Sequence, residues 1–158
     1  MTSAKVAAAE KKQRKSAARL YAVQALFQME SSGQTVESVT REFETHRFGA
    51  IYEEEGEFAE GDVDHFRAVV DHAVNQQARI DQMTDRALVA KWPIARIDPV
   101  LRALFRAAGA ELTEMPTPPK VAITEYVDVA KAFFPDGKEP KFVNAVLDHM
   151  AREIHPDL

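Results

Sequence analysis

The sequence predicts an all-α protein of about seven helices. Apolar residues recur at steps of three and four along most of the chain, and no segment shows the strict alternation that is typical of a strand. Proline, glycine and capping residues stand between the helical segments. With 158 residues, 46% of them apolar and 28% charged, the chain fits a single globular domain that can bury a core.

The first half of the chain contains two predicted helices and a loop. The first helix spans about residues 14–31 and ends at the signal Ser31-Ser32-Gly33. A shorter second helix has an apolar stripe formed by Val36, Val39 and Phe43. The acidic, glycine-containing segment from Phe48 to Gly61, which includes Glu53-Glu54-Glu55, predicts a solvated and mobile loop.

The second half contains the remaining helices. Asp62 can cap a third helix, whose pattern continues to Leu88 either as one bent helix or as two. Trp92-Pro93 interrupts the pattern. Asp98-Pro99, an N-cap followed by proline at the first helical position, starts what we expect to be the central helix. The last two helices cover residues 121–133 and about 140–154, and they are separated by Pro135-Asp136-Gly137.

The charges of the chain are divided unevenly. Residues 1–19 contain six Lys or Arg and one acid, whereas residues 20–158 contain fourteen basic and twenty-four acidic residues. A cationic segment on an acidic body attracts phosphate locally while the rest of the surface repels it. We therefore expect residues 1–13 to be a basic, flexible segment, residues 14–158 to be one domain, and nucleic-acid binding to be confined to the basic end.

Several classes of function are excluded or disfavoured by composition. The chain has no cysteine, which excludes disulfides, thiolate zinc sites and a cysteine nucleophile. No apolar run approaches the roughly 18 residues of a membrane span, and no secretory signal is present, so we expect a cytoplasmic protein. His65 and His72 lie two helical turns apart without a third ligand at a standard spacing. We expect no metal, no cofactor and no catalytic activity, since phosphate-binding glycine loops and a serine elbow are also absent.

Four segments resemble the NusB family of transcription antitermination factors. They are residues 18–27 (ARLYAVQALF), residues 96–112 with Arg96-Ile97-Asp98, Arg106 and Glu111-Leu112, residues 121–131 (VAITEYVDVAK), and residues 141–148 (KFVNAVLD). The resemblance runs from about residue 14 to 154 in the family's order and spacing. It implies a NusB-like fold of two small helical bundles packed together.

The resemblance also implies a function. NusB proteins bind the boxA element of nascent ribosomal RNA together with NusE, a ribosomal protein. With other Nus factors and RNA polymerase, this heterodimer suppresses premature termination, and it catalyses no reaction. Members of the family are monomers or homodimers, so the resemblance leaves self-association of this chain open.

The resemblance places RNA contacts at both ends of the chain. Arg19 falls on a family arginine and Lys15 on a family basic position, while Arg14 lies within the same two turns, and Lys11 and Lys12 extend this basic segment. We expect Arg19 and Lys15 to be exposed, so that their substitution costs little stability. A basic helix start of this kind can follow a phosphate track and leave single-stranded bases free for stacking.

The second group of implied RNA contacts follows the later motifs. Phe142 stands where the family places an aromatic ring against RNA, Lys141 lies beside it, and Lys120 matches a family position at the start of the preceding motif. For the surface that binds NusE, Phe27 stands at an aromatic position of the family. Its spacing from Leu20 and Val23 suits the core equally well, so both interpretations of Phe27 stay open.

Two other functions are compatible with parts of the sequence. RNA cytosine methyltransferases carry a NusB-like domain, and the chain could be a detached domain of that kind, although it lacks the cysteine that such enzymes use as a nucleophile. A helical protein-interaction module, whose basic helix binds an acidic partner instead of phosphate, is the second alternative.

Overall fold

A computed structural model describes residues 2–48, 62–88 and 94–158. Seven α-helices run through these residues: α1 (Thr2–Ser32), α2 (Val36–Phe43), α3 (Val63–Asn75), α4 (Gln77–Ala87), α5 (Pro99–Glu114), α6 (Pro119–Phe133) and α7 (Glu139–Ile154). A π-helical turn, Glu44–Phe48, continues α2, and a 3-10 turn, Ile94–Arg96, precedes α5. The part of the chain that the structure describes contains no strand, so the predicted all-α class is confirmed.

Helix α1 is longer than predicted. It begins at Thr2, and residues 3–13 are helical and exposed to solvent. Burial starts at Arg14, which is half-buried, and becomes nearly complete at Ala18 and Arg19. The boundary predicted at residue 14 therefore marks the start of tertiary contact and not the start of the helix. The flexibility of residues 1–13 stays a prediction.

The segment after α2 begins differently from its prediction. Thr35 caps α2 by accepting a hydrogen bond from the Ser38 amide at 3.1 Å. Phe48, predicted as the first residue of a solvated loop, is buried instead, because its ring packs against Tyr21 and Phe66 with centroids 5.2 and 5.0 Å away. The rest of that predicted loop, residues 49–61, lies outside the described residues.

The cap residues explain where α3, α4 and α5 begin. Asp62 accepts a hydrogen bond from the His65 amide at 2.9 Å, which is the predicted N-cap of α3. The backbone leaves helical geometry at Gln76, with φ −112° and ψ 18°, so the open alternative resolves to two helices. Asp98 caps α5 through the Val100 amide at 2.7 Å, and Pro99 follows at the first helical position, as predicted. The predicted break at Trp92-Pro93 falls outside the described residues.

The helices pack as two groups that share a core. Helices α1, α2 and α3 contact one another, as do α4, α5 and α7, and α6 packs on both α5 and α7. Helix α5 joins the groups because it also packs against α1 and α3, and it carries the longest run of buried residues, from Ala107 to Leu112. The helices of the described residues do not include one that is long and apolar enough to cross a membrane.

Gly109 is required where α4 packs against α5. A Cβ added at this position would overlap the Cγ2 methyl group of Ile80, which is fully buried on α4. Glycine in a helix interior normally costs about 1 kcal/mol relative to alanine. The close approach of the two helices explains why this cost is accepted here.

We expect Gly109→Ala to lower the free energy of unfolding by about 1–2 kcal/mol, because the cost of overpacking exceeds the gain in helix propensity. Denaturant unfolding followed by circular dichroism measures this change. In an Ile80→Ala background, which removes the opposing methyl group, the same substitution should be neutral or stabilising. An equal cost in both backgrounds would contradict the assigned contact.

Candidate nucleic-acid interface

A buried ion-pair cluster fixes the basic half of α1 against the rest of the protein. The Arg19 side chain is 3% exposed, and its guanidinium donates to both carboxylate oxygens of Glu111, from Nε to Oε1 at 3.0 Å and from Nη2 to Oε2 at 2.7 Å. Its Nη1 donates to Glu125 Oε1 at 2.9 Å. Paired, bidentate geometry of this kind is what makes burial of a charge tolerable.

The Glu111 carboxylate accepts hydrogen bonds from two further side chains and has the His65 ring beside it. Tyr126 donates its hydroxyl to Oε1 at 2.8 Å, and Thr117 donates to Oε2 at 2.7 Å. The His65 Nε2 atom lies 3.2 Å from Oε2, although at an angle that leaves it without a directional hydrogen bond. The Ser16 hydroxyl donates to Glu125 Oε1 at 2.6 Å. The cluster therefore joins α1, α3, α5 and α6.

The pKa values of the cluster follow from this geometry. Burial by itself raises the pKa of Glu111, but the adjacent His65 ring and the hydrogen bonds and charge of Arg19 outweigh burial and hold the pKa well below its ordinary value. Burial, and then the negative charge of Glu111, raise the pKa of Tyr126. The cluster therefore keeps Glu111 ionised and Tyr126 protonated, as its hydrogen bonds require.

Arg19 is the one predicted RNA contact that the structure places in the interior. Its guanidinium is enclosed by Glu111 and Glu125, so phosphate cannot reach it in this conformation. The prediction that Arg19 is an exposed residue is wrong. The physical reason is the acidic pair on α5 and α6, which lies far from Arg19 in sequence and neutralises it.

The other predicted cations remain accessible. Lys11 and Lys12 are exposed on α1, while Arg14 and Lys15 are half-buried where the helix meets the domain. Lys120 is exposed in the first turn of α6. This basic group lies along the first half of α1 and at the start of α6. The two helices run in the same direction, since Ser16 of α1 donates to Glu125 of α6 and, further along both helices, Phe27 and Phe133 line the same pocket.

The two predicted aromatic contacts are at the surface. Phe142 is 37% exposed in the first turns of α7, next to the exposed Lys141, and its ring meets that of the buried Phe105 at an interplanar angle of 68° with centroids 6.0 Å apart. This contact anchors the ring, while more than a third of the residue stays accessible to solvent. Phe142 is therefore neither a free surface side chain nor a core residue.

Phe27 lies beside an open pocket of about 330 Å³, here named the Phe27 pocket. Phe27 itself is 37% exposed, and the other lining residues include Phe43, Arg47, Val100 and Phe133. Of the two interpretations left open by the sequence, the structure favours the surface one. The pocket combines aromatic side chains with a cation, which is the composition typical of a protein-binding surface.

The predicted site residues of α1 thus form two groups at different levels of this helix. Phe27 is twelve residues beyond Lys15, which corresponds to about 18 Å along a helix axis. Phe142 lies on α7 and contacts Phe105 of α5, so it is separate from both the basic segment and the Phe27 pocket. An RNA that contacts both the basic group and Phe142 must therefore bridge α1 and α7.

Sequence reasoning missed the cluster partners Glu111 and Glu125. Both are acidic residues on otherwise buried helix faces, and Glu111 follows Leu104 and Ala108 at helical steps. An acid on an apolar stripe signals a buried partner of opposite charge. The described residues contain no group of three or more His, Cys, Asp or Glu side chains that could hold a metal ion.

Comparison with known proteins gives a consistent result. The family model described as "NusB family" matches residues 16–152. The transcription antitermination protein NusB of Maricaulis maris is 48% identical over 142 residues, which cover 89% of this chain and 88% of that protein. The corresponding protein of Sinorhizobium fredii is 46% identical, with 87% and 86% covered.

Solved structures show the same fold. The structure of T. maritima NusB superposes with a TM-score of 0.69 at 29% identity and covers 90% of this chain and 93% of that one. A second structure, of the antitermination factors NusB and NusE in complex with dsRNA, superposes with a TM-score of 0.68 at 24% identity and covers 87% of this chain and 96% of that one. The predicted two-bundle fold is therefore confirmed.

We expect Arg19→Ala to destabilise the protein by about 3–5 kcal/mol, because it leaves Glu111 and Glu125 buried without their cation. Denaturant unfolding measures the loss. Lys12→Ala, an exposed substitution of a cation on the same helix, is the matched control and should change stability by less than about 0.5 kcal/mol. Equal effects of the two substitutions would show that the cluster has no structural role.

Proposed function

Because the chain belongs to the NusB family, we propose that it is a transcription antitermination factor that binds boxA RNA of nascent ribosomal transcripts together with NusE. The observation that carries this proposal is the match over residues 16–152, together with relatives that are 42–48% identical and bear the name transcription antitermination protein. In this role the protein suppresses premature termination by RNA polymerase, which it contacts indirectly with other Nus factors.

The proposed RNA surface uses the exposed part of the predicted site. Lys11, Lys12, Arg14 and Lys15 supply cations along α1, and Lys120 adds one at the level of this basic segment. Phosphate contacts of this kind position a strand without reading its sequence. Phe142 and Lys141 provide a stacking ring with an adjacent cation, which suits an unpaired base and its phosphate. Arg19 acts through the cluster, by holding α1 in place.

The proposed NusE surface is the Phe27 pocket. A partner side chain that enters the pocket would contact Phe27, Phe43 and Phe133, and Arg47 offers a charge at the margin. The pocket lies about 18 Å along α1 from Lys15, so a bound partner would leave the basic segment accessible to RNA.

The proposal describes a binding protein without a catalytic residue, metal or cofactor. It acts in the cytoplasm, where bacterial transcription takes place. Self-association as a homodimer stays a prediction, and light scattering of the free protein tests it.

Titration of labelled boxA RNA, with a scrambled RNA of the same composition as control, tests the proposed function. Fluorescence anisotropy should show tighter binding to boxA, and NusE should increase the difference. Equal affinity for both RNAs, with and without NusE, would contradict the proposal. Binding of NusE without any RNA binding would instead identify a protein-interaction module.

We expect Phe142→Ala to weaken boxA binding by about 5- to 150-fold, which corresponds to the 1–3 kcal/mol of one stacked base. The anisotropy titration measures this loss, and circular dichroism checks that the variant is folded. Leu158→Ala removes another exposed apolar side chain and should leave affinity unchanged. Unchanged affinity of a folded Phe142→Ala variant would remove this ring from the site.

We expect Phe27→Ala to weaken NusE binding by about thirtyfold or more, as truncation of an aromatic hot spot does when it costs about 2 kcal/mol. Isothermal titration calorimetry with purified NusE measures the change. Binding of RNA in the absence of NusE should be unaffected, since the residue is remote from the basic group. A variant that binds NusE normally would place the partner surface elsewhere.

A further inference from the structure

The first twelve described residues of α1 extend beyond the body of the protein. The amide of Asp62 donates to the carbonyl of Arg14 at 3.0 Å, and this bond joins α1 to the start of α3. All side chains described before this point, at residues 3–13, are exposed. We name residues 2–13 the arm. At 1.5 Å per residue the arm is about 18 Å long. It precedes the family match, which begins at residue 16.

The charges of the arm are sorted by helical face. Lys5, Lys12 and Lys15 follow one another at steps of seven and three residues, and such residues share a face of an α-helix. Lys11 lies next to this stripe, four residues before Lys15. Glu10, which is the acid in this segment, falls on the opposite side. The arm therefore presents one continuous cationic face that leads into the basic group of α1.

Within the described parts of the chain, the arm has no stabilising partner. Its alanine-rich sequence favours a helix, but an isolated helix shorter than about 12–15 residues is marginally stable in water. Packing against the described residues adds little stability, since residues 3–13 are exposed. A ligand that neutralises the lysines would stabilise this helix by mass action.

We propose that the arm extends the RNA surface beyond Lys11 and Lys12 and holds phosphates of nucleotides flanking the boxA segment, with Lys5 as its outermost contact. The proposal rests on the proposed function, because the arm continues the cationic surface formed by Lys11, Lys12, Arg14 and Lys15. The contact is electrostatic and independent of base sequence, since the stripe offers ammonium groups and no aromatic ring.

The composition of the arm favours RNA over an anionic membrane. Helices that lie in a membrane interface pair a basic face with large apolar residues such as Trp, Phe or Leu. The residues opposite the stripe include Ala7, Gln13 and Glu10, and Val6 is the largest aliphatic side chain in the arm. The arm therefore has cations for phosphate but little apolar surface for insertion into lipid.

Two RNA lengths and two core sequences test the inference. One set contains the boxA core alone, and the other carries ten additional unstructured nucleotides on the 5′ or the 3′ side. A scrambled core is made in the same three forms. Affinities are measured with the full chain by anisotropy between 50 and 200 mM salt.

We expect the wild-type protein to bind one of the two flanked RNAs more tightly than the RNA without a flank. The affinity for this flanked RNA should also fall more steeply with salt, and both differences should appear with the boxA core and with the scrambled core. Lys5→Gln should reduce the log-log salt slope on this flanked RNA by about 0.7, the value for one phosphate contact on a single strand. The same substitution should leave the affinity for the RNA without a flank unchanged. Ala8→Pro keeps every charge but interrupts the helix, and it should cause the same selective loss.

Lys131→Gln is the matched control, because it removes one exposed cation from α6. It should change the log-log salt slope neither on the flanked RNAs nor on the RNA without a flank. Equal slopes of wild-type and Lys5→Gln proteins on all flanked RNAs would overturn the inference. A Lys5→Gln variant that loses affinity for phosphatidylglycerol vesicles but not for RNA would overturn it in favour of a membrane contact. Failure of the proposed function is a separate outcome, in which boxA and scrambled cores bind equally while the effect of the flank persists.

Discussion

The ion pair between Arg19 and Glu111 is the interaction on which the arrangement of the molecule depends. It connects α1, which carries the accessible cations, to α5, which packs against helices of both bundles. Glu125, Tyr126, Thr117 and Ser16 complete the hydrogen bonding around the pair, so its charges are buried without being left unsatisfied. The position of the proposed RNA surface thus depends on a cluster that is buried inside the protein.

The distribution of charge follows from the same constraint. One cation of the basic segment is used inside the protein, and the remaining cations lie at or beyond the margin of the domain, on a helix that continues away from it. The body carries the acidic excess of the chain. A negatively charged strand is therefore attracted to one end of the molecule and repelled by the rest, which gives a position and a direction to binding.

The accuracy of sequence reasoning differed between elements and site. The number and order of the helices and the caps Asp62 and Asp98 were predicted correctly, because they depend on periodicity and on hydrogen bonds within four residues, although α1 begins at Thr2 and not near residue 14. Accessibility was predicted less well. Arg19 was expected at the surface and is buried, and Phe48 was expected in a loop and packs against two rings. Both errors concern residues whose partners are distant in sequence.

The sequence by itself determined the all-α class, the separation of a basic end from an acidic body, and the family motifs that carry the function. These properties are local or compositional, so they can be read without a fold. Tertiary structure alone decided which cations are accessible to phosphate, that Phe142 stays partly exposed beside Phe105, and that Phe27 lines a pocket. Such outcomes depend on contacts between residues far apart in the sequence, 92 positions apart for Arg19 and Glu111, and periodicity contains no information about them.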